Sequence, residues 1–200
     1  MDQLVEIKSK IQINPSRVGK KYFVKTFGCQ MNEHDSERIS GMFELDGMSK
    51  AISEEYADVL FVNTCTIREN ADDKLYGTLG QLKQWKSQKD NRKLLVGGCA
   101  AQKDKELVRE KAPWVDVVIG THNLTNVVDL LNRSEDWGPL TEIIDEIETL
   151  PTEAPSIRES EYSAWVTIQI GCNNSCTFCI VPSVRGQEIS RRPSDIVNEA

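Results

Sequence analysis

The chain has 200 residues, of which 39% are hydrophobic and 28% charged, and this is the composition of an ordinary soluble globular protein. It argues against a disordered or collagen-like chain, and the formal net charge of −7 argues against a uniformly basic nucleic-acid-binding protein. No apolar run is long enough for a membrane-spanning helix, and residues 1–17 contain no apolar signal-peptide core. We therefore expect a cytoplasmic protein with no membrane contact.

In the first two thirds of the chain, apolar runs of strand length alternate with segments of helical period. The predicted strands are residues 21–27 (KYFVKTF), 57–63 (ADVLFVN), 93–96 (KLLV) and 116–119 (DVVI). A helix is predicted after each strand. The first covers residues 35–46, with Ile39, Met42 and Phe43 on one face, and the second contains Leu75, Leu79, Leu82 and Trp85. The third lies around residues 104–111, and the fourth contains Leu124, Val127, Val128 and Leu131. Four such units predict a doubly wound α/β domain with a parallel sheet, over residues 1–133.

Three of the six cysteines, Cys29, Cys65 and Cys99, each follow the end of a predicted strand. Parallel strands end on one edge of a sheet, so we expect these thiols to meet in one crevice, where Arg68 and Asn70 could line the site or simply begin a helix. In a reducing cytosol, thiolates hold metal more often than they form disulfides. Three converging thiolates suit a metal or cluster with one open coordination position, although each cysteine could instead be a small core residue.

An acidic segment follows this domain. Residues 134–161 contain nine acidic residues and one basic residue, a net charge of −8, which leaves +1 for the rest of the chain. Three prolines also lie there, so we interpret residues 134–160 as a linker. A short amphipathic helix over residues 142–148, with Ile143, Ile144 and Ile147 facing inward, is compatible with this interpretation.

Residues 161–200 form the third predicted region. A strand is predicted over residues 162–170, and directly after it Cys172, Cys176 and Cys179 form the pattern CxxxCxxC. This spacing brings three thiolates into one loop and suits a 4Fe–4S cluster with one iron left without a cysteine. Zinc, incidental core cysteines and disulfides are weaker alternatives, because zinc usually takes four ligands in CxxC pairs and no second pair is present.

Two histidines and two arginines lie near these motifs. His34 and His122 follow predicted strands and could be ligands, caps or surface residues. Arg185 and Arg191 follow the cysteine loop and could meet an anionic partner such as phosphate, or pair with Glu188.

The cysteine loop resembles the signature of radical S-adenosylmethionine enzymes, in which an aromatic residue, here Phe178, precedes the last cysteine. The resemblance implies that Cys172, Cys176 and Cys179 bind a 4Fe–4S cluster. The amino and carboxyl groups of S-adenosylmethionine would then chelate its open iron.

Five segments, in the same order along the chain, resemble the methylthiotransferase family of these enzymes. They are TFGCQMNEHDSE (26–37), NTCTIRENA (63–71), GGCAAQ (97–102), GTHNL (120–124) and CNNSCTFCIVPSVRGQEISR (172–191). The resemblance implies that Cys29, Cys65 and Cys99 hold a second, auxiliary 4Fe–4S cluster.

The QMN after Cys29 and the RENA after Cys65 are most similar to the tRNA branch that modifies isopentenylated adenosine beside the anticodon. The branches acting on threonylcarbamoyladenosine or on a ribosomal-protein aspartate usually carry other residues there, and they remain alternatives. The implied reaction begins with cleavage of S-adenosylmethionine to a 5′-deoxyadenosyl radical and ends with a methylthio group on carbon 2 of the adenine. The implied partners are tRNA and a reducing electron donor such as flavodoxin or ferredoxin. We expect a monomer with no catalytic residue beyond the cluster ligands.

The family resemblance also implies that residues 161–200 are the first strand, the cluster loop and the start of a helix at Pro193 of an incomplete radical S-adenosylmethionine α/β barrel. About forty residues are too few to close such a barrel or bury a core. We therefore expect a truncated form of a longer enzyme. The alternative is a non-catalytic iron–sulfur or metal-binding module.

Overall fold

The computed structural model describes residues 13–66, 71–145, 155–158 and 160–200. Its main feature is a six-stranded sheet in the order β2-β1-β3-β4-β5-β6, in which every neighbouring pair is parallel. The strands are β1 (Lys21–Thr26), β2 (Ser49–Lys50), β3 (Val59–Thr64), β4 (Lys93–Gly98), β5 (Val117–Ile119) and β6 (Leu140–Glu142). The chain reverses its direction of travel across the sheet between β1 and β3, so this is the topological switch point.

Helices cover both faces of the sheet. They are α1 (Gln30–Leu45), α2 (Ala71–Ser87), α3 (Cys99–Asp104), α4 (Leu107–Lys111) and α5 (Val127–Trp137), with short 3₁₀ turns at Glu54–Tyr56 and Leu124–Asn126. One apolar core contains residues of α2, α3 and α4, and the other contains residues of α1 and α5. This confirms the predicted doubly wound α/β fold.

Among the helices of the described ranges, none combines the length and apolar character needed to cross a membrane.

The predicted helix faces are buried as the apolar spacing requires. Leu75, Leu79, Leu82 and Trp85 of α2 are all buried, as are Ile39, Met42 and Phe43 of α1 and Leu124, Val127, Val128 and Leu131 around α5. All six residues of β3 are buried, because that strand lies between β1 and β4 with a helix layer on each side. The sheet therefore presents rigid strand ends to the loops that follow them.

Two helices differ from the prediction. The first begins at Gln30, five residues before the predicted start, because Cys29 occupies the N-cap position. The backbone N–H of Cys29 donates a hydrogen bond to Asn32 Oδ1 at 3.4 Å. The predicted helix over residues 104–111 is two short helices, α3 and α4. They are separated at Lys105, which has a positive φ of 50° and so cannot continue a helix.

Two strands of the six-stranded sheet were not predicted. The edge strand β2 has two residues, and β6 lies inside the segment interpreted as a linker. Both depend on pairing with a neighbouring strand rather than on an apolar run. The alternative helix over residues 142–148 is wrong in its described part, because Leu140–Glu142 form a strand and residues 143–145 are not helical. Its remaining residues, and Ile147 with them, lie outside the described ranges.

The last part of the chain has little regular structure. Strands β7 (Gln169–Ile170) and β8 (Ile189–Ser190) pair antiparallel, and between and after them lie α6 (Val181–Arg185) and α7 (Pro193–Glu199). The start of a helix at Pro193 is confirmed. The strand predicted over residues 162–170 is wrong in extent, because only its last two residues find a ladder partner in the described ranges. The domain divisions at residues 133 and 160, and the incomplete barrel, stay predictions.

Candidate metal centre at the carboxyl edge of the sheet

The three cysteines of the first set lie at one edge of the sheet. Cys29 comes three residues after β1, and Cys65 and Cys99 come directly after β3 and β4. These strands are neighbours and parallel, so their carboxyl ends lie side by side, and β1 and β3 flank the switch point. Open α/β sheets bind their ligands at this place.

Directly before Cys99 and Cys29 lie two glycines, Gly98 and Gly28, at which the fold leaves no room for a side chain. Gly98 has a φ of 92°, and a Cβ on it would lie 2.4 Å from the carbonyl oxygen of Thr64. A Cβ on Gly28 would lie 2.3 Å from Oδ1 of Asn32. Gly98 therefore lets the chain turn sharply before Cys99, and Gly28 leaves space beside Cys29 for the Asn32 side chain.

Beneath the cysteines lies a buried network of amide and hydroxyl groups. Asn32 Nδ2 donates to Asn63 Oδ1 at 2.9 Å and to the carbonyl of Thr64 at 3.1 Å. Asn63 Nδ2 donates to the Asn32 carbonyl at 2.8 Å and to Ser36 Oγ at 2.9 Å, and Thr64 Oγ1 donates to the Gly97 carbonyl at 2.8 Å. The start of α1 is thereby tied to the ends of β3 and β4, and the network fixes the positions of all three loops.

A cleft of about 300 Å³ opens at the switch point beside this network. It is lined by Thr26, Phe27, Gly28, Glu33, Thr64, Cys65, Ala71, Lys74 and Leu75. Cys65 is 4% exposed and Cys99 1%, whereas Cys29 is half-buried. The first set therefore lies at the edge of the protein interior, and the residues next to it, Arg68 and Asn70, are outside the described ranges.

A guanidinium from the last part of the chain reaches Cys99. Arg185, the last residue of α6, is 4% exposed, and its Nε donates to Cys99 Sγ at 3.2 Å. Its Nη1 lies 2.8 Å from the carboxylate of Asp35, in α1. Burial lowers the pKa of Arg185, but Asp35 and Cys99 outweigh burial and raise that pKa above its ordinary value. Burial also raises the pKa of the Cys99 thiol, although the Arg185 charge opposes this.

His122 lies next to this guanidinium, three residues after β5. Both of its ring nitrogens are buried, and neither has a hydrogen-bond partner within the described part of the chain. Burial and then the positive charge of Arg185 lower the pKa of His122, so the ring is neutral at pH 7. A Cβ on Gly186 would lie 3.1 Å from its Cε1 atom, so the ring packs against the turn after α6.

His34 and Arg191 have structural partners instead. His34 Nδ1 lies 2.6 Å from Thr167 Oγ1, and Nε2 lies 3.0 Å from a carboxylate oxygen of Glu199. Arg191 donates to that same carboxylate and, at 2.8 Å, to the carbonyl of Thr167. Where the sequence allowed ion pairs with Glu188, the structure shows Arg185 paired with Asp35 and Arg191 paired with Glu199, and both guanidinium groups are buried.

The second set of cysteines lies in the loop of residues 171–180, between β7 and α6. Cys172 is half-buried, Cys176 and Cys179 are exposed, and the Phe178 side chain is 96% exposed. The Cys172 amide donates to the Gly186 carbonyl at 3.1 Å, and the Cys179 amide donates to the Cys176 carbonyl at 3.2 Å. The loop thus folds back on the turn that follows α6, with two thiols open to solvent.

Both cysteine sets consist of side chains that can bind a metal. All six cysteines lie in described ranges, and none of them forms a disulfide. Thiolates suit both iron–sulfur clusters and zinc, so the chemistry of each donor set fits. Within the ranges that the structure describes, however, no three Cys, His, Asp or Glu side chains are already arranged to hold a metal ion. The strand ends position the first set at one edge, and ligation needs local movement of the side chains.

Sequence reasoning missed Asp35, Asn32 and Asn63. Each is buried or largely buried and touches a residue far away in sequence. The only signal for Asn63 was a polar residue at the end of an otherwise apolar run. Nothing local indicated that Asp35 pairs with Arg185, 150 residues further along the chain.

Comparison with known proteins places the sheet in a family. Residues 21–120, half of the chain, match the family described as "Uncharacterized protein family UPF0004". The chain belongs to this family. The matched region begins with β1, ends just after β5 and contains Cys29, Cys65 and Cys99. The family region is therefore the part of the fold that carries the first cysteine set.

Individual relatives extend the similarity into the second cysteine set. The chain is similar to proteins named tRNA-2-methylthio-N(6)-dimethylallyladenosine synthase from three bacteria. Identity is 53% over 182 residues for Corynebacterium diphtheriae, 57% over 179 residues for Tropheryma whipplei and 50% over 194 residues for Corynebacterium urealyticum. These matches cover 90%, 89% and 96% of the chain. The chain spans only 35%, 38% and 36% of the length of these curated relatives.

Proposed function

We propose that the chain carries the metal-binding part of a tRNA methylthiotransferase, which adds a methylthio group to carbon 2 of isopentenylated adenosine next to the anticodon. The observation that carries the proposal is the arrangement of the two cysteine sets. Three thiols follow neighbouring strand ends at the switch point, and the loop with the other three docks there through α6. The name that the three relatives share supports the choice of substrate.

In this proposal the two sets have separate tasks. Cys29, Cys65 and Cys99 would hold an auxiliary 4Fe–4S cluster, and the CxxxCxxC loop would hold a second one whose open iron takes S-adenosylmethionine. When bound, these groups supply the one-electron chemistry that activates an unreactive carbon–hydrogen bond and the sulfur that replaces the hydrogen.

The side chains of the protein supply ligation, position and protection from water. Cys65 and Cys99 are buried, which supports a role for the first set in a protected site. Cys176, Cys179 and Phe178 are exposed, which leaves the second loop accessible to a cofactor and to a substrate. We assign no residue to acid–base catalysis.

The proposal also includes partners and a compartment. A tRNA with an isopentenylated adenosine is the substrate. A reducing donor such as flavodoxin or ferredoxin supplies the electron, because a 4Fe–4S cluster of this kind must be reduced before it acts. We place the protein in the cytoplasm, where its substrate is found, as a monomer.

Nucleoside analysis of tRNA from cells that lack the gene tests the activity. We expect the deletion strain to keep isopentenyladenosine and to lose its methylthio group, as measured by liquid chromatography and mass spectrometry. The intact gene should restore the group, whereas genes with Cys99→Ser or Cys172→Ser should not. A Gly80→Ala gene is the matched control, since Gly80 is exposed on α2 and an added Cβ there meets nothing within 4 Å. Unchanged methylthiolation in the deletion strain, or loss from threonylcarbamoyladenosine instead, would contradict the proposal.

A further inference from the structure

Arg185 makes a contact that the proposed chemistry does not use. Its guanidinium is almost completely buried and lies between Cys99 and Asp35, with Nε on the sulfur and Nη1 on the carboxylate. A buried arginine is costly unless its N–H groups are paired, so a sequence keeps one where its position matters. Here that position is against a sulfur of the first cysteine set.

The same guanidinium has a donor left over. Nη2 of Arg185 is buried, and among the residues that the structure describes it has no hydrogen-bond partner. Asp35 holds one side of the planar group, so this remaining donor cannot turn away to solvent without breaking the ion pair. A buried N–H without a partner is energetically unfavourable. The site therefore calls for an additional acceptor next to the Cys99 sulfur.

Sulfur atoms are suitable acceptors for this donor. Thiolates and the inorganic sulfides of iron–sulfur clusters accept hydrogen bonds, and such bonds to sulfur change the reduction potential of a cluster. The neutral ring of His122, packed on Gly186, brings no competing positive charge to this corner. The acceptor chemistry that fits is therefore that of the group which the first cysteine set would hold.

Arg185 also stands at the junction between the two cysteine sets. The next residue, Gly186, accepts the hydrogen bond from the Cys172 amide at 3.1 Å. The preceding residue, Val184, accepts one from Thr121 Oγ1 at 2.7 Å. Two consecutive residues thus touch both sets, since Arg185 contacts Cys99 and Gly186 contacts Cys172.

We propose that Arg185 is a positioning residue of the auxiliary metal site: held by Asp35, it donates hydrogen bonds to the Cys99 sulfur and to a sulfur of the cluster, and it anchors the second cysteine loop there. The inference rests on the proposed function, because it needs a cluster on Cys29, Cys65 and Cys99. It adds a residue from outside the family-matched region to that site.

The reduction potential of the auxiliary cluster tests this role. The reference protein carries Cys172→Ala, Cys176→Ala and Cys179→Ala, so that only one cluster can form, and it is loaded with iron and sulfide without oxygen. In this background Arg185→Met removes the charge and all N–H donors. Because the reduced cluster is the more negative form, losing a positive hydrogen-bond donor should shift the midpoint potential to a more negative value.

Two further variants separate the role of the guanidinium from general damage to the fold. Arg185→Lys keeps the charge, so its midpoint potential should lie between those of the Arg185→Met variant and the reference protein. Arg191→Gln is the matched control, because Arg191 is a buried arginine of the same segment that contacts Glu199 and Thr167. Its midpoint potential should equal that of the reference protein. If Arg185→Met does not fold by circular dichroism, Arg185→Gln replaces it, with a smaller shift in the same direction.

The outcomes distinguish the inference from the function on which it rests. Equal midpoint potentials in the reference protein, the Arg185→Met or Arg185→Gln variant and the control would overturn the role of Arg185 and leave the proposed function standing. A reference protein that takes up no iron would overturn the proposed function itself, and the inference with it. A negative shift with Arg185 variants alone supports both.

Discussion

Among single residues, Gly98 has the clearest effect on the candidate site. It ends β4, adopts a positive φ of 92° and lies against the carbonyl oxygen of Thr64, so that Cys99 can begin α3 directly after the strand. A residue with a Cβ would meet both a strained backbone and a steric clash with main-chain atoms, which cannot move as a flexible side chain can. The position of Cys99 therefore depends on the glycine before it.

Replacing this glycine should destabilise the protein. We expect Gly98→Ala to lower the free energy of unfolding by about 2 kcal/mol or more, from backbone strain and the clash with Thr64. Gly80→Ala, on an exposed position of α2, should instead raise it by up to about 1 kcal/mol, because alanine is the better helix former. Urea denaturation measures both, and equal effects of the two substitutions would contradict the role of Gly98.

At the scale of elements, α7 is fixed to α1 by one carboxylate. Glu199 contacts His34 at 3.0 Å, Arg158 at 3.4 Å and Arg38 at 3.9 Å, and it also accepts a bond from Arg191. Burial alone would raise the pKa of Glu199, but the hydrogen bonds from His34 and Arg191 outweigh it and lower that pKa to about 2. The ionised carboxylate therefore stabilises the docking of α7.

This docking should weaken in acid. Since the pKa is lowered from an ordinary value of 4.5, the contribution of Glu199 is complete above pH 4.5 and is lost as the pH falls toward about 2. The loss amounts to at most about 3 kcal/mol. Amide chemical shifts of residues 193–199 should move toward disordered values as the pH falls from 6 to about 2, and Glu199→Gln should show a displacement in the same direction already at pH 6. Glu188→Gln, at an exposed position of the same segment, is the control, and a Glu199→Gln protein that matches it would refute the assignment.

The sequence predicts elements well where they bury a periodic face. The strands and helices of the sheet were found because apolar spacing is imposed by the core, as with Leu75, Leu79 and Leu82 of α2. The strands β2 and β6 were missed because two or three residues carry no pattern, and pairing with a neighbour decides them. The strand over residues 162–170 was overextended, since alternation alone does not supply a strand to pair with.

The candidate site also has features that the sequence predicts and features that it does not. Three thiols at one sheet edge could be predicted from the βα pattern, because parallel topology fixes where strands end. The contacts of Arg185 with Cys99 and Asp35 could not, because they join residues 86 and 150 positions apart that no local pattern connects. The amide pair of Asn32 and Asn63 was missed for the same reason.

At the scale of the whole molecule, the two cysteine sets are joined through Arg185 and Gly186 but differ in their surroundings. The first is built by the sheet and is largely buried, whereas the second is built by a single loop and is largely exposed. They meet where α6 packs on α3, through Thr121, Val184 and Arg185. Because each set has its own scaffold, each should bind its cluster without the other.

Iron content after anaerobic reconstitution with iron and sulfide tests this central claim most directly. Two 4Fe–4S clusters predict about eight irons per chain, and about four in either triple variant, Cys29→Ala/Cys65→Ala/Cys99→Ala or Cys172→Ala/Cys176→Ala/Cys179→Ala. The variant without all six cysteines should bind none. Stoichiometric zinc without visible absorbance, or a triple variant that loses all of its iron or none of it, would contradict two independent clusters.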